Sequence, residues 1–422
     1  MKRNLTIIII IGLLGFGDTV KALWQRMAGP DTSLAVFAIA NLGANLFAAT
    51  SPSGKFHSGA TGMYRSNDFG ASWTRIVTGL PAHQGFYHLT TRAGLDLLAD
   101  EYDSIFRSSD NGDHWAPANH GIVSNIITGI TSIGSAVLAA CASSSHYEGG
   151  WIFRSTDRGV SWTQVYGPGN CPMVLTTIGS SVFAGTSYGH STGFFRSIDS
   201  GVTWTEKMRV PNPEFSATAF GQRGSEIFFG SDNRFASPHD SVVYTSDDDG
   251  YYWSPAVLGL PSKTSVNAFA TWGREIFAGT THGVFQYRAG TRTWIPVSVG
   301  LRDSDISSLV ILGDYLFAGT SSDGVYRRPL SEMPGMNEVS THAAANNSVR
   351  IFPNPTTGLV TLDCSAKITQ LQVSNLLGQS VIEQSNPGTS NFTIDISKLS
   401  AGTYFAKLTM PGALVVKKIV RE

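Results

Sequence analysis

Charge is scarce: Asp, Glu, Lys and Arg make up 14% of the 422 residues, against a usual ~25%. The 30 Lys and Arg nearly balance the 31 Asp and Glu, so the net charge is −1. Without a basic surplus the electrostatic footprint of nucleic-acid binding is missing. Coiled coils and helical arrays need runs of Glu, Lys and Arg that this chain lacks. Cysteine is limited to Cys141, Cys171 and Cys364. An odd number leaves at least one thiol unpaired, and the spacing fits no zinc pattern. Beyond the N-terminus no apolar run reaches the ~20 residues needed to span a bilayer. Low hydrophobicity, the mark of disorder, is also absent, since 42% of residues are hydrophobic.

What is abundant is glycine, with 45 residues, and aromatics at 11%, including nine Trp. That combination suggests many short strands joined by tight turns. The chain opens Met1-Lys2-Arg3-Asn4, followed by an apolar run from Leu5 to Gly17. Two early cations before a short apolar core match a signal peptide, and Val20-Lys21-Ala22 offers a cleavage point after Ala22. Residues 1–22 are therefore read as a signal peptide, with no transmembrane helix left after cleavage.

Five segments share the pattern aromatic-x-Ser-x-Asp-x-Gly-x-x-Trp. Their signature residues are Ser66, Asp68, Gly70 and Trp73; Ser108, Asp110, Gly112 and Trp115; Ser155, Asp157, Gly159 and Trp162; Ser197, Asp199, Gly201 and Trp204; and Ser246, Asp248, Gly250 and Trp253. Each residue type has work in a hairpin. Ser and Asp cap backbone N–H groups in the turn, Gly accepts a positive φ, and Trp buries a large apolar face. The motif is thus structural rather than catalytic. Upstream of each lies a short apolar strand ending in small residues, and this element recurs seven times: Leu46–Thr50, Leu97–Glu101, Val137–Cys141, Val182–Thr186, Ile227–Ser231, Ile276–Thr280 and Leu316–Thr320. The sixth hairpin is degenerate, with Tyr287, Ala289 and Thr291 in place of Ser, Asp and Gly, and the seventh has no Trp.

Trp24 supplies the missing seventh. Trp24, 73, 115, 162, 204, 253 and 294 are spaced by 41 to 49 residues, the period of four-stranded propeller blades. The expected fold is all-β: a seven-bladed β-propeller over residues 23–330, closed by an N-terminal strand, then a small C-terminal β-sandwich. Ser-x-Asp-x-Gly-x-x-Trp resembles the Asp-box, or bacterial neuraminidase repeat. That repeat occurs in sialidases, xyloglucan-cleaving glycoside hydrolases, sortilin-like receptors and photosystem II assembly-factor propellers. The resemblance implies fold more than function, because enzymes and binders share the motif.

Residues 331–348 read as a linker, and 349–422 as a compact β module. Its pieces are Pro353-Asn354-Pro355, an Asn-x-x-Gly-Gln turn with Gly378, a segment containing Gly402 and Tyr404, and a basic end with Lys417 and Lys418. Together they resemble the type A C-terminal sorting domain of the type IX secretion system. The resemblance implies the type IX machinery as partner. The route would run through the periplasm to the outer cell surface or the medium.

In a propeller the ligand face is built by loops between second and third strands and by loops between blades, opposite the Ser-Asp hairpins. The candidates are His57, His146, Tyr147, Glu148, His190, Arg234, His239 and Asp240. Long polar loops are where binding residues concentrate. No metal site and no cofactor is expected. Cys141 and Cys171 would lie toward one rim of neighbouring blades, which suggests a disulfide. Two functions compete. One is a secreted or surface binding protein for a glycan or a peptide; the alternative is an extracellular glycoside hydrolase, sialidase- or xyloglucanase-like. Hydrolysis needs a placed carboxyl pair, and no pair can be nominated. Binding is the preferred reading. Three arginines meeting in the central cleft would favour a sialidase.

Overall fold

The computed structural model describes residues 23–30, 34–52, 61–81, 85–92, 96–122, 125–143, 149–167, 171–187, 194–206, 216–232, 242–334, 349–364, 367–375, 379–385, 391–410 and 413–422. The expected signal peptide and most of the expected linker lie outside them. No helix among the described residues is long and apolar enough to cross a membrane.

Strand is the dominant element of the described residues, and turns and irregular segments make up most of the rest. Residues 25–329 form seven antiparallel four-stranded sheets, here numbered in chain order. Their innermost strands are Leu34–Leu42, His88–Arg92, Asn125–Ile133, Cys171–Ile178, Ser216–Arg223, Val266–Trp272 and Ile306–Leu312. Six sheets take four consecutive strands, whereas sheet 7 takes its outer strand, Gln25–Arg26, from the other end of the chain. Inner strands of consecutive sheets touch in order, and the last touches the first. The apolar repeat strands are the second strands of the sheets and are almost wholly buried. Between sheets their side chains form separate apolar cores rather than one common core, as expected when each sheet packs on its neighbours.

The five Ser-Asp hairpins have one geometry. The Ser hydroxyl donates to the Asp carboxylate at 2.7–2.9 Å and accepts the Gly N–H at 2.8–2.9 Å. The Trp indole N–H then donates to the same Gly carbonyl at 3.1–3.2 Å. The residue before Gly takes a positive φ in each turn: Phe69, Asn111, Arg158, Ser200 and Asp249.

The hairpins also tie sheets together. Arg65, Arg154 and Arg196 each donate to the carbonyl of that positive-φ residue in the following sheet, at 2.8, 2.8 and 3.3 Å. Arg327 of sheet 7 does the same to Phe69 of sheet 1, at 2.8 Å. Between sheets 2 and 3 the turn residue is itself an arginine, Arg158, and a buried carboxylate intervenes. Asp96 accepts from Arg92 at 3.2 Å, Arg107 at 2.9 Å and Arg158 at 2.7 Å.

Trp24 makes the contacts of an ordinary repeat Trp. Its backbone N–H donates to Val299 at 3.0 Å, as Trp115 donates to Thr78 and Trp294 to Leu258. Its indole donates to Val297 at 2.7 Å, as the Trp294 indole donates to Ala256 at 2.8 Å. Glycine is required beside these Trp backbones. A Cβ on Gly79 would sit 1.8 Å from the Trp115 carbonyl, and one on Gly300 would sit 2.7 Å from Trp24 N.

The C-terminal module has two sheets. Val349–Phe352, Leu359–Cys364 and Asn391–Asp395 form one; Ser380–Ser385, Gln370–Asn375, Gly402–Met410 and Ala413–Arg421 form the other. Alternate residues from both, including Leu362, Ile394, Val373, Leu408 and Ile419, share one core. The Pro-Asn-Pro segment is tied to the last strand, because Val420 N–H donates to the Asn354 side chain at 2.8 Å.

Candidate ligand site in the central cavity

The seven inner strands enclose a cavity of ≈ 750 Å³. Their local irregularity shapes it. Six of the seven carry a β-bulge near the same level, at Phe37, Thr128, Met173, Thr218, Asn267 and Ser307, and all six residues line the cavity. A bulge inserts one unpaired residue and re-aims its side chain. Thr128, Thr218 and Ser307 donate across to the carbonyls of Pro172, Val266 and Val36 of the next sheet. Asn267 donates to Ile306 at 2.9 Å. Each acceptor is the residue just before the next bulge, so four of the bulge residues tie their sheet to the next beside the cavity.

The lining is two-sided. Sheets 1 to 4 contribute an apolar and aromatic wall with Phe37, Tyr87, Tyr102, Ile126 and Met173. Phe37 and Tyr87 meet edge to face at 5.2 Å. Sheets 5 to 7 contribute a polar wall with Thr218, Asn267, Thr281, Asp305, Ser307 and Ser321. Asp305 is the only carboxylate among the described lining residues.

Sheet 2 breaks the pattern. Its inner strand presents His88, whose Nδ1 lies 3.0 and 3.1 Å from the two carboxylate oxygens of fully buried Asp100. Burial works against a charged imidazole, but the Asp100 charge and hydrogen bond outweigh it and raise the His88 pKa. Next to Asp100 stands Glu101, where the other sheets have Thr, Ser or Cys. Thr50, Thr280 and Thr320 there donate to the carbonyls of Gly62, Gly283 and Gly324, at or just before the start of the third strand, at 2.8–3.0 Å. Burial and the nearby Asp103 push the Glu101 carboxyl up.

The candidate residues named from the sequence, His57, His146, Tyr147, Glu148, His190, Arg234, His239 and Asp240, all lie outside the described residues, as does Gly378. The described cavity rests instead on inner-strand residues that sequence reasoning did not nominate. A signal for His88 and Asp100 was present. Among the seven repeat strands only Leu97–Glu101 ends in two acids. Three arginines do converge, but on Asp96, at the opposite end of the sheet 2 strands from His88. They are occupied by that carboxylate and belong to no central cleft.

The disulfide expectation is corrected: Cys141 is a free, buried thiol. Its side chain packs with Leu98, Ile105 and Ile122, toward sheet 2, whereas Cys171 belongs to the inner strand of sheet 4. Burial, and then the charge of Asp100, push this thiol far up. Among the described residues no three His, Cys, Asp or Glu side chains cluster in a metal-binding arrangement.

Residues 350–422 match the family model described as the secretion system C-terminal sorting domain. This is a type IX sorting domain, and it indicates secretion to the cell surface or the extracellular space. No curated protein matches the chain in sequence. Among solved structures, the extracellular domain of the hybrid two-component system BT4673 from B. thetaiotaomicron is similar over 93% of the chain at 10% identity and TM-score 0.59. The chain spans only 52% of that protein's length. YCF48 bound to D1 peptide is similar over 74% of this chain and 97% of its own, at 13% identity and TM-score 0.54. The GH74 enzyme of Niastella koreensis is similar over 94% of this chain and 74% of its own, at 11% identity and TM-score 0.55. These likenesses place the chain among all-β, propeller-like proteins and carry nothing about its ligand.

Proposed function

We propose that this chain is a secreted or cell-surface binding protein that holds its ligand in the central cavity. In this reading residues 1–22 are a signal peptide. Residues 23–330 form a seven-bladed Asp-box β-propeller closed by the N-terminal strand. A linker follows at 331–348, and residues 349–422 engage the type IX secretion machinery. The Ser, Asp, Gly and Trp residues of the repeated hairpins serve the turns, and Pro353, Asn354, Pro355, Gly402, Tyr404, Lys417 and Lys418 belong to the sorting module. The loop residues His57, His146, Tyr147, Glu148, His190, Arg234, His239 and Asp240 would surround the ligand on the same rim.

The observation that carries the reading is the cavity lined by all seven inner strands, with an aromatic wall facing a polar one. A concave site with apolar surface and a few fixed polar groups is the usual form of a small-ligand seat. YCF48 with its D1 peptide and the GH74 enzymes make peptide and glycan the two ligand classes to test. The hydrolase alternative gains less support. Glycoside hydrolysis uses two carboxyl groups flanking the bond, and the described lining offers Asp305 alone.

Glycan and peptide arrays probed with the mature protein test the reading. Binding should be lost when Ser321, at the cavity rim, is changed to Trp. Binding that survives Ser321→Trp would move the ligand elsewhere. Turnover of a chromogenic glycoside, abolished by one carboxylate substitution, would establish the hydrolase instead.

A further inference from the structure

The level at which His88 pairs with Asp100 is occupied in the other six sheets by Ala38–Ala49, Gly129–Ala140, Val174–Gly185, Ala219–Gly230, Ala268–Gly279 and Ser308–Gly319. On the second strand the residue there is always Ala or Gly except in sheet 2. Space explains this. A Cβ added to Gly185 or Gly230 would lie 2.4 or 2.6 Å from Ala217 or Val266 of the next sheet. Asp100 is therefore a carboxylate placed where the repeat demands a small residue, with no accessible side-chain surface. Burying a charge is costly unless it is paired, and His88 is the described partner.

A purely structural pair is the simpler account. It does not explain why six sheets pack at the same level with neither group. Local conflict with a repeat is expected at functional sites. The exposure of the pair points the same way. Asp100 is inaccessible, yet the His88 side chain is 38% exposed and lines the cavity. With Nδ1 held by Asp100, Nε2 is the ring nitrogen left for a ligand. Aromatic surface lies beside it on the same wall, where Tyr102 is 56% exposed. Across the cavity stand hydroxyl, amide and carboxylate groups from Thr281, Asn267 and Asp305.

We propose that the His88–Asp100 pair reads a hydroxyl of a neutral saccharide seated in the cavity, with Tyr87 and Tyr102 against the apolar face of its ring. A sugar ring has the two-sidedness of this cavity: C–H faces suited to aromatic contact and a rim of hydroxyls suited to polar groups. The lining carries His88 and Asp305 as its only described His or carboxylate side chains, which suits an uncharged ligand better than a strongly ionic one. The proposal rests on the reading of the cavity as the ligand seat, and the ligand class is its own addition.

The experiment is calorimetric titration of the mature protein with neutral cello-, xylo-, manno- and chito-oligosaccharides, beside a peptide library. At least one saccharide should bind. His88→Gln and Tyr102→Ala should each weaken it about tenfold, the loss of one good contact. Melting curves check that both variants fold, and Tyr102, being exposed, is the safer of the two. Failure of every saccharide to bind overturns the proposal, as does saccharide binding indifferent to both substitutions. Peptide binding that Ser321→Trp abolishes would sink the saccharide assignment while leaving the cavity reading intact. Saccharide binding that ignores Ser321→Trp, His88→Gln and Tyr102→Ala alike would sink both.

Discussion

Asp96 meets three guanidinium groups, from Arg92, Arg107 and Arg158, with no accessible surface of its own. Burial alone would raise its pKa, but the hydrogen bonds and charges of Arg158 and Arg107 outweigh it, so the folded value lies below the ordinary one. A depressed carboxylate stabilises the fold above its unfolded pKa and loses that contribution as pH falls through the folded value. Removing it leaves three cations without their partner. Asp96→Ala should cost about 3 kcal/mol, at the lower end for a broken buried pair because Arg158 is half exposed and can turn to water. The urea midpoint measures this. A shift of less than a third of that would mean the arginines find other partners. Cys141 gives a second residue-scale prediction. Its thiol is buried and its pKa raised, so the folded protein should resist alkylation there and react once unfolded. Peptide mapping after labelling at pH 8 reads this directly.

At the scale of the element, the Ser-Asp hairpin is a small hydrogen-bonded unit that closes without help from its neighbours. Asp110, Asp157 and Asp199 are all held down to about 2. For Asp157 and Asp199 the chief cause is the hydroxyl of Ser161 or Thr203, followed by that residue's backbone N–H. For Asp110 burial opposes the shift, and the hydrogen bonds from His114 and Ser108 overcome it. These hairpins should therefore contribute fully above the ordinary carboxylate pKa of about 4 and weaken progressively below it. Thermal unfolding should show a falling melting temperature from pH 5 to pH 2. The five-residue pattern that makes the hairpin was legible because the hydrogen bonds that close the turn lie within eight residues of sequence. The Arg straps between sheets were not. Four arginines before the Ser are visible in the sequence, yet Arg65, Arg154 and Arg196 find carbonyls 46 to 53 residues away, Arg107 turns instead to the Asp96 carboxylate, and Arg327 has its acceptor 258 residues away.

At the scale of the whole molecule the decisive contacts join the N-terminal strand to the last sheet of the repeat region. Trp24 packs in the core of sheets 6 and 7, Arg26 pairs with Asp323 at 2.5 Å, and Met27 N–H donates to Val325. Deleting residues 23–28 should lower the melting temperature of the whole repeat region, since sheet 7 would lose its outer strand and Gly300 its Trp. Unchanged melting would show that the ring stands without that strand. The C-terminal module makes its own core from its own two sheets. A reporter carrying residues 340–422 behind a signal peptide should therefore reach the surface or medium of a type IX host, and cell fractionation tests it.

Sequence by itself determined what repeats and what is local: the Ser-Asp turns, the seven apolar strands, the Trp register and the sorting module. Each depends on residue types at short, fixed spacing, and repetition makes the spacing visible. Tertiary structure decided what converges. The bulge residues Phe37, Thr128, Met173, Thr218, Asn267 and Ser307 come from six strands as much as 270 positions apart, and only the packing of the inner strands on one another brings them to one cavity. It also decided against the Cys141–Cys171 bond, because a strand's alternation turns Cys141 toward sheet 2. His88 and Asp100 stand between the two cases. Their departure from the repeat was written in the sequence, but their pairing and the cavity before them needed an antiparallel register that no local pattern specifies.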